Sequence, residues 1–240
     1  MNHDGVLGRV RVVLSRTSHP GNIGAAARAM KTMGLSQLML VSPQSFPDPV
    51  ATARAAGADD ILANARVVGS LAEALEGTVF AAALTARRRE LAVPMKWARD
   101  AAGDIVSRTA YGDVALVFGN ETVGLSNEDV ALCHMPVKIP VSAEYSSLNL
   151  GAAVQVLCYE LRMAALDPGE PPNLESEPAT FEQVEGFFAH LDQAITASGF
   201  FHPSNSKRLW PRLRRLFGRI QLEKDEINIL RGMLTAFEKK

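Results

Sequence analysis

Three short clusters in this 240-residue chain carry residue types at spacings that could do chemistry. The first reads Asn22-Ile23-Gly24-Ala25-Ala26-Ala27-Arg28, one long cation among residues with almost no side chain. Asn22 can cap a helix, and Gly21 and Gly24 let a ligand or another backbone come close. The first-turn N–H groups of such a helix point outward at the positive end of its dipole, which suits a phosphate or a developing oxyanion. Arg28 lies one turn beyond Gly24 and reaches back over that turn, because helical side chains lean toward the N-terminus. On this reading Ala25, Ala26, Ala27 and Ala29 leave the approach clear. The alternative is an exposed arginine on a helix packed closely through alanines, and the stretch alone leaves both open.

The second cluster is Phe118-Gly119-Asn120-Glu121-Thr122-Val123-Gly124-Leu125-Ser126, a polar, glycine-flanked turn after a strongly apolar run. Glu121 there is either an orienting hydrogen-bond acceptor or a solvated loop acid. The third is Ile139-Pro140 and then Glu144-Tyr145-Ser146-Ser147-Leu148-Asn149-Leu150-Gly151. Ser146 or Ser147 would cap the next helix, which leaves Asn149 in its first turn as an unusual choice. None of the three is a dinucleotide-binding glycine loop, a Walker loop or a nucleophile elbow.

The elements that must position these clusters alternate over the first two thirds of the chain. Apolar runs predict strands at Arg9–Leu14, Gln37–Val41, Arg66–Val68, Thr78–Leu84, Val114–Phe118 and Pro136–Ile139. Between them, helical patterns cover Asn22–Gly34, Pro49–Gly57, Ser70–Glu76, a stretch near Met95–Ala102, Ser126–Cys133 with a capping box, and Leu148–Ala165. Apolar strands alternating with helices predict an α/β fold with a parallel sheet covered on both faces. The second cluster then sits at the carboxyl end of a buried strand, where open α/β sheets bind ligands.

The predicted organisation is a main domain over 1–165, a Pro- and acid-rich linker over 166–178 and a helical extension over 179–240. Net charge is −1, yet Met163 to Ser206 holds seven acids and no Lys or Arg. Lys207 to Arg219 then carries six cations and no acid, with Trp210 and Phe217 interleaved. That block either meets a nucleic-acid backbone or is a solvated helix face whose aromatics pack inward. Cys133 and Cys158 predict two reduced core thiols, and the five scattered histidines predict no metal site. There is no membrane-length apolar run and no secretory layout at the N-terminus, so the expectation is a cytoplasmic protein.

Taken in order, N-x-G-x-x-x-R, then G-N-E-x-x-G-L-S, then I-P and Y-S-S-L-N-L resembles motifs one to three of the SpoU branch of the SPOUT RNA methyltransferases. Longer stretches, among them HPGNIGAAARAMKTMGL, VALVFGNETVGLSNED, EYSSLNLGAAVQVLCYELR and INILRGML, are similar to the tRNA 2′-O-ribose methyltransferases of that branch. Members of that group often carry Arg after the motif-two glycine, where this chain has Asn120.

The resemblance implies S-adenosylmethionine bound in a trefoil knot, with Leu84, Thr85, Ala86, Gly119, Ile139, Ser146, Ser147 and Leu148 as cofactor-binding residues. It implies Asn22, Arg28, Glu121, Ser147 and Asn149 as the catalytic set, in a homodimer whose active site lies at the interface. It implies methyl transfer to nucleotide 32, C or U, of the tRNA anticodon loop. Arg28, Lys207, Arg208, Arg212, Arg214 and Arg215 would then contact RNA. The alternatives are a ribosomal-RNA 2′-O-methyltransferase and an inactive RNA-binding protein of the same fold.

Overall fold

The computed structural model describes residues 3–85, 94–167, 171–201 and 209–238. Its centre is a seven-stranded sheet in the order β3-β2-β1-β6-β4-β7-β5. The strands are β1 (Val10–Ser15), β2 (Gln37–Val41), β3 (Arg66–Val68), β4 (Thr78–Leu84), β5 (Lys96–Trp97), β6 (Asp113–Phe118) and β7 (Met135–Lys138). Every neighbouring pair is parallel. The helices between them are α1 (His3–Leu7), α2 (Pro20–Met33), α3 (Pro49–Ala55), α4 (Asp59–Ala63), α5 (Leu71–Leu75), α6 (Ala98–Arg108), α7 (Asn127–Ala131) and α8 (Leu150–Leu166).

From β1 the chain builds outward through β2 and β3, then returns to place β4 on the far side of β6. The reversal therefore lies beside the β1–β6 pair, where Leu14 is in register with Phe118. Both strands end at the same level and release the first and second clusters side by side, at the position open α/β sheets use for ligands. β1 and most of β6 are buried, as apolar strands of a doubly covered sheet must be. Arg11 lies within β1 and is accommodated because its guanidinium donates to the carbonyls of Ala74 and Glu76, each at 2.8 Å, and pairs with Asp113 at 3.3 Å.

α2 starts with Pro20 in its first turn and stops at Gly34, whose φ of 84° is the left-handed stop that glycine supplies. Its small residues serve packing, which corrects the reading of the alanines as clearance for a ligand. Ala26, Ala27 and Ala29 are buried in the core. A Cβ on Gly24 would lie 2.0 Å from the carbonyl oxygen of Ala51 in α3, so Gly24 admits a neighbouring backbone. On the next face a Cβ on Gly151 would come within 2.7 Å of the Ala25 Cβ, where α8 approaches α2 closely.

Near Met95 the chain departs from the expected helix: Lys96–Trp97 pair with β7 as an edge strand, and α6 begins at Ala98. Both cysteines are free thiols, and burial pushes Cys158 up to about 12. Among the described residues no helix is long and apolar enough to cross a membrane, and no His/Cys/Asp/Glu group could hold a metal.

The chain divides into two compact units, Met1–Pro172 and Asn173–Lys240. The second unit is formed by α9 (Phe181–Ala197), α10 (Leu209–Gly218) and α11 (Lys224–Glu238). Phe187, Phe188, Leu222 and Ile227 are its buried centre, with Trp210 and Phe217 packed against them. The aromatics of the basic block thus point into this small core. Segments on either side of the division are tied to their own unit. The Tyr111 hydroxyl donates to the Pro172 carbonyl, whereas the Ala179 and Lys224 N–H groups donate to the Leu222 and Glu177 carbonyls.

Candidate active site at the carboxyl end of the sheet

The loop after β6 is shaped by its glycines. A Cβ on Gly119 would lie 2.3 Å from backbone atoms of Gly124 and Leu125, so the turn can fold back only over glycine. Gly124 itself has a φ of 71°. Asn120 closes the turn. Its Oδ1 accepts from the N–H groups of Thr122 and Val123 at 2.9 and 3.2 Å, and its Nδ2 donates to the Arg16 carbonyl at 2.7 Å. A capping box and an ion pair then hold the start of α7, because Asp129 accepts from the Ser126 N–H and from the Arg16 guanidinium.

Glu121 is thereby aimed at the start of α2. One carboxylate oxygen accepts from the Ser18 N–H at 2.9 Å and the Ser18 hydroxyl at 2.8 Å. The other accepts from the His19 N–H at 3.2 Å and the Asn22 amide at 2.9 Å. Asn22 Oδ1 in turn accepts from Asn149 Nδ2 at 2.9 Å. Partial burial would by itself raise the Glu121 carboxyl, but the Ser18 N–H, the Asn22 amide and the further hydrogen bonds outweigh it and bring it to about 2. Glu121 is an orienting acceptor, the first of the two readings its position allowed.

Two caps differ from expectation. His19, not Asn22, caps α2, its Nδ1 accepting from the Gly21 N–H at 3.1 Å, while the Asn22 N–H donates to the His19 carbonyl. Those first-turn N–H groups are consumed within the chain and do not form an open anion site. Asn149, not Ser146 or Ser147, caps α8, accepting from the N–H groups of Gly151 and Ala152 at 2.9 and 3.4 Å. Ser, Asn and Asp cap equally well; the choice falls to Asn149 because its amide also reaches Asn22.

An open cavity of about 350 Å³ lies against this arrangement. Leu84, Thr85, Gly119, Ile139, Ser146, Ser147 and Leu148 line it, together with Glu121. Ala86, Lys207 and Arg208 lie outside the described residues. Lys138 and Val141 also line the cavity, while Ser18 and His19 hold Glu121; sequence reasoning missed all four. Pro20 at the first helical position was the signal that could have marked His19 as the cap. Arg28 does not line the cavity of its own chain. It is exposed, and no hydrogen bond or ion pair of its guanidinium is found among the described residues. In the helical unit, Arg214 is clamped by Glu185 at 2.6 and 2.8 Å and lies over the Phe188 ring at 4.5 Å, whereas Arg212 is exposed.

A parallel α/β sheet with two sequence-distant motifs lining one cavity, and a third hydrogen-bonded to its wall, defines a class of fold and site, and comparison with known proteins identifies it. The model of the SpoU rRNA methylase family matches residues 9–159, and that of the C-terminal domain of the tRNA methyltransferase TrmJ matches residues 182–240. The chain belongs to the SpoU methylase family of methyltransferases, in its TrmJ group. It is 49% identical to the tRNA (cytidine/uridine/adenosine-2′-O-)-methyltransferase TrmJ of Pseudomonas aeruginosa, across 98% of this chain and 95% of that protein. With the tRNA (cytidine/uridine-2′-O-)-methyltransferase TrmJ of Pectobacterium atrosepticum it shares 46% identity over 98% of each. The crystal structure of TrmJ from Z. mobilis superposes with a TM-score of 0.83 at 35% identity, covering 95% of this chain and 98% of that one.

Proposed function

We propose that this chain transfers a methyl group from S-adenosylmethionine to the 2′-hydroxyl of a tRNA ribose, with nucleotide 32 of the anticodon loop, C or U, as its target. The observation that carries the reading is the hydrogen-bonded line Glu121–Asn22–Asn149, which ties motifs one, two and three to the wall of a single cavity. The names of the TrmJ relatives support the substrate class. The cavity suits the cofactor in size and lining: about 350 Å³, with Leu84, Ile139 and Leu148 for an apolar ring and Thr85, Ser146 and Ser147 as polar partners. Bound there, S-adenosylmethionine supplies an electrophilic methyl group. The trefoil knot belongs to the same reading, since the segments it would involve surround this cavity.

The chain's own groups divide the work. A ribose hydroxyl is a poor nucleophile until its proton leaves or its developing charge is stabilised. Glu121 does not take that proton: its carboxylate is held far below neutral pH and both oxygens are occupied by donors. It fixes Ser18, His19 and Asn22 and, through Asn22, the Asn149 amide. Arg28 carries a guanidinium, which is likewise a poor base. It grips the phosphate next to the reacting ribose and stabilises the oxyanion; the proton departs through a phosphate oxygen or water. In this reading Arg28 serves the cavity of a second protomer in a homodimer, which its exposure and its place outside its own chain's cavity support. Arg212 and Arg215, with Lys207 and Arg208, supply further tRNA contacts; Arg214 braces the helical unit instead.

Methyl transfer from labelled S-adenosylmethionine to tRNA transcripts tests the reading. Labelling that disappears when nucleotide 32 is a 2′-deoxy residue supports it, and undiminished labelling of that transcript overturns the target.

A further inference from the structure

The cap of α2 has an outward consequence. Gly21 donates its N–H to His19 Nδ1 at 3.1 Å, so that nitrogen carries no proton and the neutral ring carries its hydrogen on Nε2. The ring is seated, not loose. A Cβ on Gly21 would come within 3.0 Å of Nδ1 and 3.1 Å of Cε1, so glycine gives the ring room to lie close over the first turn. Its backbone N–H is bonded to Glu121, a wall residue of the cavity, at 3.2 Å. Asp48 acts electrostatically with His19, and its two oxygens already accept from Ser45 Oγ and the Val50 N–H, each at 2.8 Å. His19 is exposed, and no hydrogen-bond partner of Nε2 is found among the described residues.

We propose that His19 is a substrate-positioning residue whose Nε2–H donates to a backbone phosphate oxygen of the RNA beside the reacting ribose. The inference rests on RNA being the substrate. With Nδ1 committed to the cap, Nε2 is a donor only, which selects an acceptor oxygen and rejects a donor. The contact is made by a neutral group, so it adds affinity without displacing a counterion, unlike an arginine or lysine.

The test separates cap from donor. His19→Ser keeps an N-cap acceptor and removes the outward donor, while His19→Ala removes both. The expected result is a His19→Ser protein that unfolds at the wild-type temperature. Its KM for tRNA rises about tenfold, the worth of one hydrogen bond to a charged group, and kcat changes less than KM. The slope of log affinity against log salt stays at the wild-type value. A His19→Ser protein that binds tRNA as wild type does, with only His19→Ala impaired and less stable, overturns the donor role. A slope reduced by about one unit overturns its neutrality. If wild-type enzyme labels no tRNA at all, the functional reading fails instead, and the two failures are told apart by that control.

Discussion

Glu121 gathers four donors on two oxygens, and this sets what its removal does. Glu121→Gln replaces an acceptor pair by one acceptor and one donor that meets donors already in place, so Asn22 and the Ser18–His19 turn lose their common anchor. Methyl transfer by that variant is expected to fall about 100-fold with little change in cofactor binding, because the loss is one of alignment. Its pH signature has a definite sign. The folded carboxyl, at about 2, lies below its ordinary value of 4.5, so the stability it contributes is complete above pH 4.5 and fades as pH falls toward 2. Urea midpoints of wild type and Glu121→Gln should therefore differ at pH 6 and converge below pH 4.5. A gap that stays constant down to pH 3 contradicts the assignment. Arg28→Lys keeps the charge but not the forked donor geometry, and kcat/KM is expected to drop about 100-fold in steady-state assays.

At the scale of elements, the α2–α3 contact makes a sharp forecast. Gly24→Ala drives a methyl group into the Ala51 carbonyl, and backbone cannot yield as a side-chain tip can. A loss of about 3 kcal/mol in urea unfolding is expected. Gly103→Ala, at a helical position of α6 where a Cβ meets nothing within 4 Å, should instead gain about 0.5–1 kcal/mol. Such differences mark the boundary of what the sequence shows. β2 (Gln37–Val41), β3 (Arg66–Val68) and β4 (Thr78–Leu84) are legible to the residue, since each is a β-branched or apolar run with a turn former at one end at least, Ser42-Pro43 after β2, Gly69 after β3 and Gly77 before β4. β5 is not, because two exposed residues paired at a sheet edge leave no periodic trace. Gly24 and Ala25 read the same whether they clear room for a ligand or for another helix; only the position of α3 and α8 decides. Asn149 is as good a cap as Ser147 on local grounds, and what sets it apart is Asn22, 127 residues away. The order of the three motifs was readable; the hydrogen bonds that join them, and the role of His19, depend on contacts that no window of sequence contains.

For the molecule as a whole, the helical unit separates cations that hold the fold from cations that face outward. Arg214 is bidentate on Glu185 and stacked on Phe188, so Arg214→Glu should lower the unfolding temperature of the unit and weaken tRNA binding only through that damage. Arg212→Glu should leave the unfolding temperature unchanged while reducing tRNA affinity and lowering its salt slope by about one. Paired measurement of melting and of binding at several salt concentrations distinguishes the two. The line through Glu121, Asn22 and Asn149 also has a temporal side. Its links join residues 99 and 127 positions apart, and the side chains it aligns come from the start, middle and late part of the first unit. Loops of that length close slowly and are stabilised only after β1, β6 and α8 have all docked. In refolding, methyl transfer should thus return after helical circular dichroism has recovered. The enzyme carries its own clock: catalysis reports the last contacts to form, and a chain whose folding stalls short of α8 is silent, however native its secondary structure.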